Sequence, residues 1–171
     1  MRLLVLVCSM FLCGTVISAE RRSKDIEVYF SPKGKCTEAI LRELGKAKQS
    51  ILVQAYSFTS APIAKALVEA RRRGVNVRVI LDRSQRTEIY SSATFLLNEG
   101  ITPLIDDSHA IAHNKVIVID GGTVITGSFN FTRAAEESNA ENLLVIRDTS
   151  VVGKYEKNWR EHEKHSERYQ R

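Results

Sequence analysis

Only three cysteines occur in the 171 residues, and two of them, Cys8 and Cys13, lie near the start. With that segment set aside, Cys36 stands alone and no internal disulfide can form. Three prolines and nine glycines leave little room for long flexible linkers. Beyond the extreme N-terminus no run of about 20 apolar residues exists, which excludes a polytopic membrane protein. Charge of one sign does not dominate either. There are 25 Lys and Arg against 20 Asp and Glu, a net charge of +5. That excess is compatible with a polyanionic partner without demanding one. With 43% hydrophobic and 26% charged residues, collagen-like, low-complexity and wholly disordered chains are excluded.

The N-terminal segment reads as an export signal. Arg2 precedes the apolar run from Leu3 to Cys13, Gly14-Thr15 are smaller and more polar, and Ala19 supplies a small residue at a cut site. The expectation is a signal peptide at 1–19 and a single catalytic domain at 20–171, exported to a periplasm or secreted. The competing reading is a retained anchor, with Arg21, Arg22 and Lys24 stopping transfer. The shortness of the apolar core favours the signal. Neither Cys8 nor Cys13 follows the small-residue pair of a lipoprotein cut site. Cleavage removes Arg2 and no acid, so +5 becomes +4. Cys36 is expected to be a small buried hydrophobe rather than a reactive thiol.

Strands and helices alternate through the first hundred residues. Ile26–Phe30 reads as a strand ended by Ser31-Pro32-Lys33-Gly34. Thr37 is placed to cap a helix with Ile40, Leu41, Leu44 and Ala47 on one face. Ile51–Tyr56 has the composition of a buried strand. Ser60 and Pro62 open a second helix that Gly74 closes, and Val75–Leu81 is a third strand. A third helix is expected over 87–98 and a short strand over 101–105. The strand–helix alternation predicts an α/β fold: a mixed, mostly parallel sheet flanked by helices. Lys115–Ile119 and Thr123–Thr126 then flank Asp120-Gly121-Gly122, a hairpin signal. A further strand, 142–146, and a charged helix over 151–169 complete the chain, with Val152, Tyr155 and Trp159 facing inward.

The chemistry concentrates on the hairpin. His113-Asn114-Lys115 is followed by four apolar residues and Asp120, an H-x-K-x4-D pattern, and Gly127-Ser128-Phe129-Asn130 comes shortly after. Alternation puts His113 and Lys115 on one face and Asp120 on the other, so Asp120 is expected to fix the turn rather than to react. A two- or four-residue loop would set His113 opposite Asn130 and Lys115 opposite Ser128; a three-residue loop would break that alignment. In the first case an imidazole, an ammonium, a hydroxyl and an amide converge. Lys115 would bring charge to a phosphate, Ser128 and Asn130 neutral donors, and His113 a nucleophile or a proton.

H-x-K-x4-D followed by G-S-x-N resembles the signature of the phospholipase D superfamily, and the likeness extends through Asn139-Ala140-Glu141-Asn142. The resemblance implies a phospholipase D-like fold and a metal-independent phosphodiesterase. His113 would be the nucleophile, forming a phosphohistidine. Lys115 and Asn130 would hold the non-bridging oxygens, Ser128 would support them, and Glu141 would orient the imidazole.

One motif supplies half a site. In-line displacement at phosphorus needs a nucleophile on one side and a proton donor on the other, and one imidazole cannot do both. Neither His109 nor His165 has a lysine two residues on; His162 has Lys164, but Tyr169 stands where the motif requires Asp. The expectation is a twofold homodimer with both His113 residues in one site. Two lysines and an imidazolium replace the charge a metal would bring, so no cofactor is expected and turnover should survive EDTA. Asp106, Asp107 and His109 read as a polar loop rather than metal ligands, and His162 and His165 as part of a solvated helix face. Arg71-Arg72-Arg73 reads as surface charge at a helix end. The substrate expected first is nucleic acid, DNA before RNA. The alternative is a phospholipid head group. A non-catalytic nucleic-acid-binding module is disfavoured by the complete residue set.

Overall fold

The computed structural model describes residues 25–170; the expected signal peptide lies outside the described residues. The described residues share one eight-stranded sheet. Its strands are β1 (Ile26–Ser31), β2 (Ser50–Ala55), β3 (Asn76–Asp82), β4 (Leu104–Asp106), β5 (Lys115–Ile119), β6 (Thr123–Gly127), β7 (Glu141–Ile146) and β8 (Glu167–Arg168). Their spatial order is β1-β7-β6-β5-β2-β3-β4-β8. The helices are α1 (Cys36–Lys46), α2 (Ala61–Arg72), α3 (Ala93–Asn98), α4 (Arg133–Glu137) and α5 (Thr149–His165).

The sheet is mixed and flanked by helices, as the alternation predicts, but parallel pairing is narrower than expected. It is confined to β2–β3 and β3–β4, while five neighbouring pairs are antiparallel. β1 runs in the same direction as β2 but lies at the far edge, paired with β7. The hairpin and β7 insert between them, because the buried β2 takes β5 on its free side.

Two apolar layers cover the two faces. On one side Ile40, Leu44, Ile63, Leu67 and Leu96 from α1–α3 pack on Ile51, Val53, Val79, Leu81 and Ile117. Cys36 belongs to this layer, and burial pushes its thiol up to about 11, as an unreactive cysteine requires. On the other side α5 lays Val152 and Trp159 on Leu52, Ile80, Val116, Val118 and Val124. The Trp159 indole N–H donates to the Val53 carbonyl at 2.8 Å, so this large ring is buried with its polar atom satisfied.

Local differences have identifiable causes. Thr37 does not cap α1. The chain enters the helix through Lys35 at φ 67, and the Thr37 amide donates to Glu136 Oε2 at 2.7 Å. Gly34 forces that entry, since a Cβ there would lie 1.5 Å from the Phe30 carbonyl oxygen. The helix expected over 87–98 is shortened to α3. Asp82 caps a 3₁₀ turn over Arg83–Arg86, and the Ser92 amide is drawn to the Phe58 carbonyl at 2.8 Å. The strand expected at 101–105 forms at 104–106. The arginine run is engaged locally: Arg72 pairs with Glu99 at 2.8 Å and Arg73 donates to the Leu44 carbonyl at 2.9 Å.

Candidate active site at the end of the central strands

The registers bring the motif residues to one end of the sheet. Ala55, the last residue of β2, lies opposite Lys115, the first of β5. Gly127 at the end of β6 lies opposite Leu143, and Glu141 at the start of β7 lies opposite Ser31. His113 precedes β5 and is exposed at this end. Its ring stacks on Tyr56, with centroids 4.5 Å apart at 51°. The Tyr56 amide donates to the Asn114 carbonyl at 2.9 Å, which fixes the two segments side by side.

Lys115 is the buried member of the pair, 6% exposed. Its ammonium donates to the His113 carbonyl at 2.6 Å and lies 5.0 Å from the centroid of the Tyr56 ring. Burial pushes its pKa below the usual lysine value, and the Glu141 carboxylate partly opposes that shift. A cation poorly solvated by water interacts strongly with an arriving anion. Among the described residues no hydrogen bond joins Glu141 to the His113 ring. The Glu141 carboxylate accepts instead from Asn139 Nδ2 at 3.2 Å, and Tyr56 is the side chain against the imidazole. Tyr56 carries no motif signal, because only strand pairing places it there.

The hairpin has the three-residue loop that breaks the expected alignment. Ile119 pairs with Thr123 and Val116 with Thr126, which carries Lys115 opposite Gly127 rather than Ser128. The chain then leaves the ladder. The amides of Ser128 and Phe129 both donate to the Asn142 carbonyl, at 3.1 and 3.2 Å, a bulge in β6. Phe131 forms a parallel bridge with Phe58 beyond the end of β2. Ser128 and Asn130 therefore reach this end of the sheet through a bulge, and not by standing opposite Lys115 and His113. Ser128 Oγ accepts from the Asn142 backbone amide at 3.0 Å and from Asn142 Nδ2 at 3.3 Å, which leaves its own O–H free to donate. Asn130 Oδ1 is buried without a partner. Gly127 makes the bulge possible. Its φ is +145, and a Cβ would lie 2.3 Å from the Asn142 carbonyl oxygen.

Asp120 points away from this chemistry, as strand parity requires. It adopts φ 51, and its carboxylate accepts the backbone amides of Lys48, Gln49 and Ser50 at 2.9, 2.8 and 2.8 Å. It thus ties the hairpin turn to the start of β2 rather than to its own loop. Burial raises its pKa, but the three N–H donors outweigh that and hold it below the ordinary aspartate value.

The approach to His113 is also anchored. The buried Asp82 accepts the Ala112 amide at 2.7 Å. Further along, Asp106, His109, His162 and His165 gather with their ligating atoms within 4.8 Å of one another. His109 and His165 are exposed, as a polar loop and a solvated helix face imply, but Asp106 and His162 are not, and the structure corrects the reading for those two. Asp106 is fully buried and His162 is 13% exposed at its side chain. Burial works to raise the Asp106 pKa, but hydrogen bonds from the three imidazoles prevail and bring it to about 2. The spacings alone hide this cluster, since its two halves are 56 residues apart in the chain.

Residues 40–162 match the family model "Cardiolipin synthase, PLD-like domain". Over 143 residues, 84% of this chain and 71% of the relative, the sequence is 46% identical to a phospholipase D of Rickettsia conorii. It is 34% identical over 142 residues to the mitochondrial cardiolipin hydrolase of Xenopus laevis, covering 77% of this chain and 68% of that protein. Among solved structures, the fold superimposes on Nuc, a phospholipase D family member from Salmonella typhimurium. The TM-score is 0.81 and the identity 38%, over 85% of this chain and 98% of that one. An exposed imidazole above a buried ammonium, on the strand that carries H-x-K-x4-D, thus sits in a matching fold and a matching sequence: the chain belongs to the phospholipase D superfamily of phosphodiesterases.

Proposed function

We propose that this protein is an exported endonuclease that cleaves DNA through a phosphohistidine, without using a metal in the chemistry, with RNA as a second substrate for the assay below to test. The observation that carries the reading is the pairing of exposed His113 with buried Lys115 at an open sheet end. In the first step a His113 ring nitrogen attacks phosphorus, a P–N bond forms and the P–O bond to the leaving group breaks. Lys115 and the amide of Asn130 hold the non-bridging oxygens, with Ser128 donating beside them. The leaving oxygen takes a proton from the partner subunit's His113. Water then attacks phosphorus, gives its proton back to that imidazole, and the P–N bond breaks.

A homodimer supplies the second imidazole. The reading is supported by the single motif and by apolar side chains bare at this end of the sheet, Phe30 on β1 and Ile111 two residues before His113. The net charge of +5, or +4 after cleavage at Ala19, and the open position of His113 favour a polyanionic chain as substrate. Binding directed at the phosphate backbone should weaken steeply with salt.

A second reading, hydrolysis at a phospholipid head group, is favoured by exposed Ile89 and Tyr90 in the segment after β3, and by relatives named phospholipase D and cardiolipin hydrolase. One assay separates the two. Plasmid DNA, RNA and anionic vesicles are offered to the wild type and to His113→Ala with chelator present. Nicking by the wild type alone supports the nuclease. Head-group release without nicking transfers the assignment to lipid. Equal nicking by both proteins removes His113 from the mechanism.

A further inference from the structure

The cluster of Asp106, His109, His162 and His165 joins the segment that leads into His113 to the end of α5, and the proposed phosphodiester chemistry makes no use of it. We propose that it is a structural zinc site that clamps the loop leading into His113 onto the end of α5.

The donor set is three imidazoles and one carboxylate, the ligand types and number that four-coordinate Zn²⁺ takes. All four ligating atoms converge within 4.8 Å. His162 Nδ1 lies 2.7 Å from Asp106 Oδ2, His109 Nδ1 3.0 Å from Oδ1, and His165 Nε2 3.4 Å from Oδ1. Bonds of about 2.0–2.2 Å in a tetrahedron put ligand atoms about 3.3 Å apart, so small shifts suffice to admit the ion. The three rings crowd around one point, with centroids 4.9, 5.3 and 5.4 Å apart. Each half of the site is an i, i+3 pair: Asp106 with His109 at the end of β4, and His162 with His165 in the last turn of α5. Helical spacing puts the second pair on one face, and the carboxyl end of a helix favours a cation.

The acid is held for this task. Asp106 is fully buried, and the Ser108 amide donates to its Oδ1 at 3.2 Å. The exposed edges of His109 and His165, 46% and 35% at the side chain, leave the ion a way in. The mechanical consequence follows from the chain path. His109 and His113 are four residues apart on one loop, and Asp82 already holds Ala112 between them. An ion bonded to His109 would fasten that loop to α5, adding to the ring contacts of His109 with His162 and His165 and to the His162–Asp106 hydrogen bond. The ion would act on the fold of the loop, whatever the substrate.

The test uses untagged protein stripped with a chelator and dialysed. Titration with Zn²⁺, followed by calorimetry and by metal content after gel filtration, should show one ion per chain with sub-micromolar affinity. The midpoint of thermal unfolding should rise by about 5 °C or more. Co²⁺ should give the intense visible bands of a four-coordinate ion. His162→Gln should weaken binding about 100-fold or more. His109→Gln changes a half-exposed loop residue, so it tests the site even where His162→Gln fails to fold. Binding weaker than about 10 µM, a stoichiometry far from one, or unchanged affinity in His109→Gln overturns the assignment.

Discussion

The Lys115 ammonium donates to the carbonyl of His113 at 2.6 Å, so the buried cation and the exposed imidazole are held by one stretch of backbone. The two groups cannot drift apart without breaking the entry to β5. This coupling makes Lys115 a test of electrostatics rather than of packing. Lys115→Met keeps the apolar stem and removes the charge. Turnover should fall about 10²–10³-fold, the usual loss of one preorganised charge or donor. The unfolding midpoint should hold or rise, because a buried cation is costly to desolvate. Steady-state rates and a thermal melt on the same preparation check both halves.

Asp120 should behave as a fastening and not as a reactant. Asp120→Ala strands three backbone amides and should cost about 2–3 kcal/mol of stability, measured by urea unfolding at neutral pH. Turnover per folded molecule should stay within a few-fold of wild type. The sign of the pH effect follows from the lowered pKa. The native carboxylate is favoured relative to the unfolded one, so its contribution is complete above the ordinary aspartate range. It is lost as pH falls through that range and on toward the native value. In Asp120→Asn this part of the acid destabilisation below about pH 5 should vanish.

Gly127→Ala should disable both fold and site. The added Cβ meets the Asn142 carbonyl oxygen at 2.3 Å, and the φ of +145 is one that alanine rarely adopts. A loss of about 2 kcal/mol or more is expected, with disproportionate loss of activity because Ser128 and Asn130 follow directly in the chain. A melt and a rate measured below the melting range distinguish the two effects.

Subunit mixing tests the proposed shared centre. Wild type and His113→Ala, unfolded together at equal amounts and refolded, should retain about a quarter of the wild-type activity if one site needs both imidazoles. Independent sites would retain about half. Sedimentation must show dimers in both cases.

Tyr56 is expected to position His113 without touching phosphate. Tyr56→Leu should lower kcat more than it changes KM, while Tyr56→Phe, which keeps the ring face, should restore most of the rate.

Much of this molecule was written in local pattern. Period-two and period-3.6 hydrophobicity located most strands and the helices α1, α2 and α5, because burial of one face is a short-range property of the chain. The typed positions His113, Lys115, Ser128 and Asn130 stood out by spacing, and the fold brings them to one end of the sheet, while alternation alone set Asp120 apart from them. Pairing between distant segments was not legible in this way. Whether β1 sits beside β2 or at the far edge depends on which strand buries β2 better, and β5 took that place. The hairpin register turned on a single loop residue. Asp120 takes a left-handed conformation because its carboxylate finds the amides at 48–50, 70 to 72 residues earlier in the chain. The same reason hid the imidazoles around Asp106: two unremarkable i, i+3 pairs become one centre only when α5 packs across the sheet and Trp159 anchors it there. Residue types set what each side chain can do; long-range packing chose which of them meet.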